Sequence, residues 1–138
     1  MITILIIEES LLIGGRIRSL LLETPGKRTI YQSVDHKQAA LLFEEIKPQA
    51  VLLDMCLPGT MSIELLQKIK NGNIPTAIIA LVNCDDCHQQ IKCTAFGADY
   101  ILDKYHEFDK LPDTIDLIAK TRNPVSTNEK PEYYSKFA

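Results

Sequence analysis

Several features that would indicate a specialised class of protein are missing from this sequence. The net charge is only −3, without a basic block, so a nucleic-acid-binding surface is not indicated. No apolar run approaches the roughly 18 residues of a membrane span, and no charged region precedes the apolar N-terminal stretch. We therefore expect a soluble, cytoplasmic protein that binds neither membrane nor nucleic acid. Its four cysteines fit that compartment as free thiols.

Two motifs of small-molecule enzymes are also absent. The chain has no Gly-rich phosphate loop and no nucleophile elbow, and Gly14-Gly15 lies inside a helical pattern. An α/β enzyme with a small-molecule substrate is therefore the least favoured class. What the sequence does contain is 138 residues with 46% hydrophobic content, enough for one domain with a substantial core.

The apolar segments alternate regularly with amphipathic ones. Short apolar runs predict strands at 2–7, 27–34, 50–54, 76–82 and 99–104, and helical periodicity predicts helices at 11–23, 36–47, 62–72, 84–97 and 111–121. Strict strand-helix alternation predicts an α/β domain over 1–121, with a parallel sheet covered by helices on both faces. The polar segment 122–138 is predicted to be a flexible tail.

Charged residues follow the ends of three predicted strands. Glu8-Glu9 follows the first strand, Asp54 ends the third, and Asp103-Lys104 ends the fifth. Parallel strands end at the same edge of a sheet, where ligands bind, so we expect these side chains to converge. Clustered carboxylates suit Mg²⁺, and a carboxylate beside a metal ion and a lysine is a competent nucleophile toward phosphorus. The pattern predicts Asp54 as a phosphate acceptor.

A purely structural interpretation competes with this one. Acidic residues at strand ends are often simply exposed, and Lys104 could pair with Asp103 in solvent for little energetic gain. Each residue taken alone favours that interpretation. The joint pattern, with each acid after the appropriate strand, favours chemistry.

Three segments carry a resemblance to a known family. "ILIIEES", "VLLDMCLPG" and "GADYILDK" resemble the acidic pair, the acceptor strand with its turn, and the lysine segment of a response-regulator receiver domain. The resemblance covers about residues 2–120. It implies a flavodoxin-like (βα)5 fold with strand order 2-1-3-4-5, in a stand-alone receiver of two-component signalling.

The resemblance also implies roles for individual residues. Asp54 would accept phosphate from a sensor histidine kinase or a histidine phosphotransfer protein, and Lys104 would contact the phosphoryl group. Glu8, Glu9, Asp54 and the backbone carbonyl of Cys56 would hold Mg²⁺. A downstream protein, or a second copy in a homodimer, would bind the face formed by the fourth helix, fifth strand and fifth helix.

The sequence departs from the family pattern at the positions that report phosphorylation. The usual Thr or Ser after the fourth strand falls on Val82 or on Ala80, depending on which end the count starts from, and neither side chain has a hydroxyl. The aromatic switch residue is Ile101, with Tyr100 one place early. Glu9 stands where Asp is usual, and its extra methylene would move or weaken the metal ion.

Two functions therefore remain open on sequence grounds. The favoured one is a phosphorylatable receiver with an unusual switch. The alternative is a pseudo-receiver that binds a partner independently of phosphorylation. The Cys84-x-x-Cys87 spacing also permits a zinc or redox role, but a lone pair of cysteines is weak evidence.

Overall fold

Five strands and five α-helices alternate along the described part of the chain. The protein is represented by a computed structural model that describes residues 2–56, 61–83 and 87–122, without the side chains of Cys87 and Arg122. The strands are β1 (Ile2–Ile7), β2 (Arg28–Ser33), β3 (Ala50–Asp54), β4 (Ala77–Val82) and β5 (Tyr100–Asp103). The helices are α1 (Leu11–Glu23), α2 (His36–Ile46), α3 (Met61–Asn71), α4 (Cys87–Ala95) and α5 (Leu111–Arg122), with a short 3₁₀ turn, Phe108–Lys110, before α5.

The strands form one parallel sheet in the order β2-β1-β3-β4-β5. This confirms the predicted flavodoxin-like fold and its strand order. The register pairs Ile7 with Leu53, Asp54 with Leu81, and Val82 with Asp103. The residues that end β1, β3, β4 and β5 therefore lie together at one edge of the sheet.

The core lies on both faces of the sheet, as expected when strands are buried on both sides. On one face, alternate strand residues pack against α1 and α5, for example Ile17 and Ile115. On the other, they pack against α2, α3 and α4, where Phe43 and Leu66 are examples. Every residue of β3 and β4 is buried, which explains their uninterrupted apolar sequences. The sheet is therefore a rigid base for the side chains at its edge.

The two adjacent glycines of α1 have different surroundings. A Cβ on Gly14 would overlap the side-chain amide of Gln32, whereas a Cβ on Gly15 would meet nothing within 4 Å. The close approach of α1 to β2 is thus confined to Gly14.

We expect Gly15→Ala to raise the free energy of unfolding by about 0.5–1 kcal/mol, the helix-propensity gain of Ala over Gly. Gly14→Ala should gain less, because Gln32 must move out of the way. Urea unfolding of both variants checks this, and combining Gly14→Ala with Gln32→Ala should recover the gain. Equal gains from the two single substitutions would contradict the close contact.

Some sequence predictions concern residues outside the described part. These are the Pro58-Gly59 turn, Cys84 and nearly all of the tail at 122–138, so the tail and the domain boundary remain predictions. Cys56 and Cys93 are free cysteines, as expected. Among the described helices, none combines the length and apolar character needed to cross a membrane.

Candidate phosphoryl-acceptor site

Three buried charged side chains meet at the carboxyl edge of the sheet. Lys104 Nζ lies 2.9 Å from Glu8 Oε1 and 3.1 Å from Asp54 Oδ1. The three side chains are between 1% and 6% exposed, so the group is almost entirely withdrawn from solvent. Because β4 separates β3 from β5, the Lys104 side chain must cross the end of β4 to reach Asp54. The sequence prediction that these strand ends converge is confirmed for these three residues.

Local hydrogen bonds fix the carboxylates in this arrangement. Asp54 Oδ1 accepts a hydrogen bond from the Cys56 amide at 2.9 Å. The buried Ser62 hydroxyl of α3 donates to the Asp54 backbone carbonyl, also at 2.9 Å. Glu8 Oε2 accepts from the Ser10 amide, and Ser10 in turn caps the start of α1 through its hydroxyl. The contact of Ser62 could not be predicted from the sequence, because a serine inside an amphipathic helix carries no distinctive signal.

Burial and charge act on this group in opposite directions. Burial raises the pKa of Glu8, and the hydrogen bond from Ser10 and the adjacent Lys104 ammonium only partly offset it. Burial alone would lower the pKa of Lys104, but its ion pair with Glu8 and the charge of Asp54 together raise it, so the ammonium form is favoured. Desolvation, followed by the charge of Asp54, raises the pKa of the Cys56 thiol. Cys56 is therefore a protonated, exposed thiol beside Asp54 rather than a thiolate.

Two acidic residues that the sequence placed with this group lie differently. Glu9 is exposed. Asp103 is buried, but its Oδ1 accepts hydrogen bonds from the amides of Tyr105 and His106 and contacts His106 Nδ1 at 3.0 Å. Asp103 thus organises the loop after β5. Sequence spacing identified its position at the edge but not the direction of its side chain.

The oxygen atoms at this edge are compatible with a bound magnesium ion. Glu8 Oε1 is buried and, despite its ion pair with Lys104, accepts no hydrogen bond of good geometry within the described residues. No group of three potential ligand side chains occurs within residues 2–56, 61–83 and 87–122. Mg²⁺ does not require one, because it usually keeps several waters and uses only one or two carboxylates. An under-coordinated buried carboxylate beside Asp54 therefore fits this cation.

The positions expected to report phosphorylation carry apolar side chains. Val82 is the last residue of β4 and is buried, whereas Ala80 lies further back, paired with Leu53. Val82 is therefore the strand-end position. Ile101 of β5 is half-buried against the same core face. A groove of about 580 Å³ runs between α4 and β5, lined by Val82, Gln90, Ile91, Thr94, Ala95, Ile101, Asp103 and Glu107.

Comparison with known families identifies the class of protein. The family model for the response regulator receiver domain matches residues 4–116. With the five-stranded parallel sheet and the acidic edge described above, the chain belongs to the response-regulator receiver family of two-component signalling. Receiver domains of this family generally bind Mg²⁺ at the acceptor site, and response regulators interact with histidine kinases and downstream effectors.

Relatives of known function are considerably longer than this chain. Response regulator GacA of Pseudomonas protegens is 23% identical over 126 residues, which is 91% of this chain and 59% of that protein. Transcriptional regulatory protein YdfI of Bacillus subtilis is 29% identical, over 85% of this chain and 54% of that protein. A protein-glutamate methylesterase/protein-glutamine glutaminase of Treponema denticola is 27% identical, over 72% and 28%. The chain thus spans at most about three-fifths of these three proteins.

Solved structures show the same fold. The signal receiver domain of a LuxO repressor protein from Vibrio parahaemolyticus superimposes with a TM-score of 0.79 at 23% identity, covering 89% of this chain and 93% of that one. Chemotaxis protein CheY4 of Vibrio cholerae gives 0.75 at 17% identity, covering 86% and 98%. At these identities the similarity establishes the architecture alone.

Proposed function

We propose that this protein is a receiver that accepts a phosphoryl group on Asp54 from a phosphohistidine of a sensor kinase or phosphotransfer protein. The observation that carries the proposal is the contact of Lys104 with both Asp54 and Glu8 at the carboxyl edge of the sheet. A lone buried carboxylate would be costly, and a structural ion pair would not need two acids around one lysine. The arrangement suits a nucleophile with a cation fixed beside it.

Transfer of the phosphoryl group from the donor histidine to Asp54 would form one bond to phosphorus and break another. A carboxylate oxygen of Asp54 attacks phosphorus, the bond from phosphorus to the donor nitrogen breaks, and that nitrogen keeps the electron pair. The product is an acyl phosphate on Asp54. Lys104 Nζ, already 3.1 Å from Asp54 Oδ1, is placed to neutralise charge on the phosphoryl oxygens.

A magnesium ion fits the same edge. Asp54, Glu8 and the Cys56 carbonyl would hold it, with Glu9 able to contribute from the exposed side of the site. Bound there, Mg²⁺ would supply neutralisation of the phosphoryl oxygens. The extra methylene of Glu9, relative to the usual Asp, would move or weaken its contact with the ion.

Incubation with acetyl phosphate and Mg²⁺ followed by intact-mass measurement tests the proposal. We expect a Mg²⁺-dependent phosphoryl adduct on the unaltered protein and none on Asp54→Asn. Asp109→Asn, which changes an exposed acid, should keep the adduct and serves as the matched control. An adduct on Asp54→Asn, or none on the unaltered protein, would overturn the proposal.

A second candidate is a binding module that works independently of phosphorylation. The observation that favours it is the buried Val82 at the end of β4, because valine offers no hydroxyl to a phosphoryl oxygen. The groove between α4 and β5, with Ile91 66% exposed beside it, would then be part of the partner surface. Absence of the adduct in the experiment above would favour this function.

A further inference from the structure

The Gln89 side chain joins the two loops that border the acceptor. Its Nε2 donates to the Met55 carbonyl at 2.5 Å, and its Oε1 accepts from the Asn83 amide at 3.2 Å. Met55 directly follows the acceptor Asp54, and Asn83 directly follows β4. A single amide side chain on α4 therefore connects the loop after β3 with the loop after β4.

The bond to Met55 acts on the acceptor through one rigid unit. The Met55 carbonyl and the Cys56 amide belong to the same planar peptide group. The carbonyl end of that group is held by Gln89 Nε2, and its amide end donates to Asp54 Oδ1 at 2.9 Å. Fixing one end of a planar group fixes the other, and consecutive hydrogen bonds polarise one another.

The primary amide of Gln89 can make both hydrogen bonds that this position requires, one as donor and one as acceptor. A primary amide supplies one donor and one acceptor group at a fixed separation, which is what a carbonyl and an amide N–H require. Glutamate would lose the donor, and asparagine would be one methylene too short. The neighbouring Gln90 lines the groove between α4 and β5 instead.

We propose that Gln89 is a positioning residue for phosphoryl acceptance: it holds the Met55–Cys56 peptide so that the Cys56 amide stays directed at Asp54 Oδ1. The inference rests on the proposed function of Asp54. It gives this chain a link between α4 and the acceptor that does not depend on a hydroxyl at Val82. Phosphorylation at Asp54 would then act on α4 through the hydrogen bonds of the Met55–Cys56 peptide.

Phosphorylation rates and amide exchange in the full chain test this inference. We expect Gln89→Ala to accept phosphate from acetyl phosphate about fivefold more slowly, the factor typical of one lost hydrogen bond. By NMR, the Cys56 and Asn83 amides should both exchange faster. Gln89→Glu should speed exchange at Cys56 but not at Asn83, since only the donor is lost. Gln90→Ala, the matched control, should leave the rate and both amides unchanged.

The outcomes separate this inference from the proposed function. Unchanged rates and exchange in Gln89→Ala, with the unaltered protein phosphorylated, would overturn the inference and leave the function intact. Equal slowing in Gln90→Ala would also overturn it, because general loosening of α4 would be the cause. A protein that accepts no phosphate at all would overturn both.

Discussion

Lys104→Met should lower the free energy of unfolding by about 3 kcal/mol at neutral pH, the cost of leaving buried charges without their partner. The substitution keeps most of the side-chain volume but removes the ammonium group between Glu8 and Asp54. These carboxylates are at most 2% exposed, so water cannot replace the lost cation without a change in structure. Urea unfolding monitored by circular dichroism measures the loss.

The effect should depend on pH in a defined direction. The pKa of Glu8 is raised in the folded protein, mainly by burial, so the fold binds this proton more tightly than the unfolded chain does. The stability that protonated Glu8 contributes is therefore lost as pH rises from the ordinary value of 4.5 through the folded pKa. Removing Lys104 raises the Glu8 pKa further. The deficit of Lys104→Met should thus be smaller near pH 4.5 than at neutral pH, by the part that Glu8 contributes.

A double variant provides the control for this prediction. Adding Glu8→Gln to Lys104→Met removes one of the two uncompensated charges and leaves that of Asp54, so about half of the lost stability should return and the pH dependence due to Glu8 should flatten. A deficit that stays the same from pH 4.5 to 7.5, in single and double variants alike, would show that Lys104 acts by packing alone.

Arg28→Met should also destabilise the fold by about 3 kcal/mol, through loss of charged hydrogen bonds to backbone carbonyls that are buried or partly buried. Arg28 is 1% exposed at the start of β2, at the opposite edge of the sheet from Asp54. Its Nη1 donates to the Leu21 carbonyl at 2.7 Å and to the Thr24 carbonyl at 2.9 Å. These carbonyls lie at the C-terminus of α1, where a cation is favoured by the helix dipole.

Asp116→Asn separates the helix-end bonds of Arg28 from its ion pair. Arg28 Nη2 lies 2.9 Å from Asp116 Oδ1, but the Asp116 side chain is 43% exposed. Its ion pair is therefore screened by water, and we expect Asp116→Asn to cost less than about 1 kcal/mol. Denaturant unfolding of both variants checks the ranking. Equal losses would assign the stability to the ion pair rather than to the end of α1.

The fold and the meeting of Glu8, Asp54 and Lys104 could be predicted because they depend on patterns that run along the chain. The fully apolar β3 and β4 predict a sheet buried on both faces, and alternation with helices makes it parallel. Parallel strands share a carboxyl edge, so Glu8, Asp54 and Lys104 had to lie near one another. Resemblance to receiver domains supplied the strand order.

The direction of individual side chains could not be predicted in the same way. Asp103 and Lys104 are adjacent, yet one binds its own loop and the other reaches across β4. Gln89 lies at the site only because the fold brings the first turn of α4 next to the end of β3. Its hydrogen bond to Met55 joins residues 34 positions apart. In the sequence, Arg28 is simply a polar residue near the start of a predicted strand. Only the structure shows that it is buried against the end of α1.

Peptide mapping after borohydride reduction tests the central claim most directly. Borohydride converts an aspartyl phosphate to homoserine, which marks the acceptor permanently. After incubation with acetyl phosphate and Mg²⁺, the account predicts homoserine at position 54 and at no other aspartate. Homoserine at another aspartate, with Asp54 unchanged, would contradict the assignment of Asp54 as the acceptor. No homoserine anywhere would contradict phosphoryl acceptance itself.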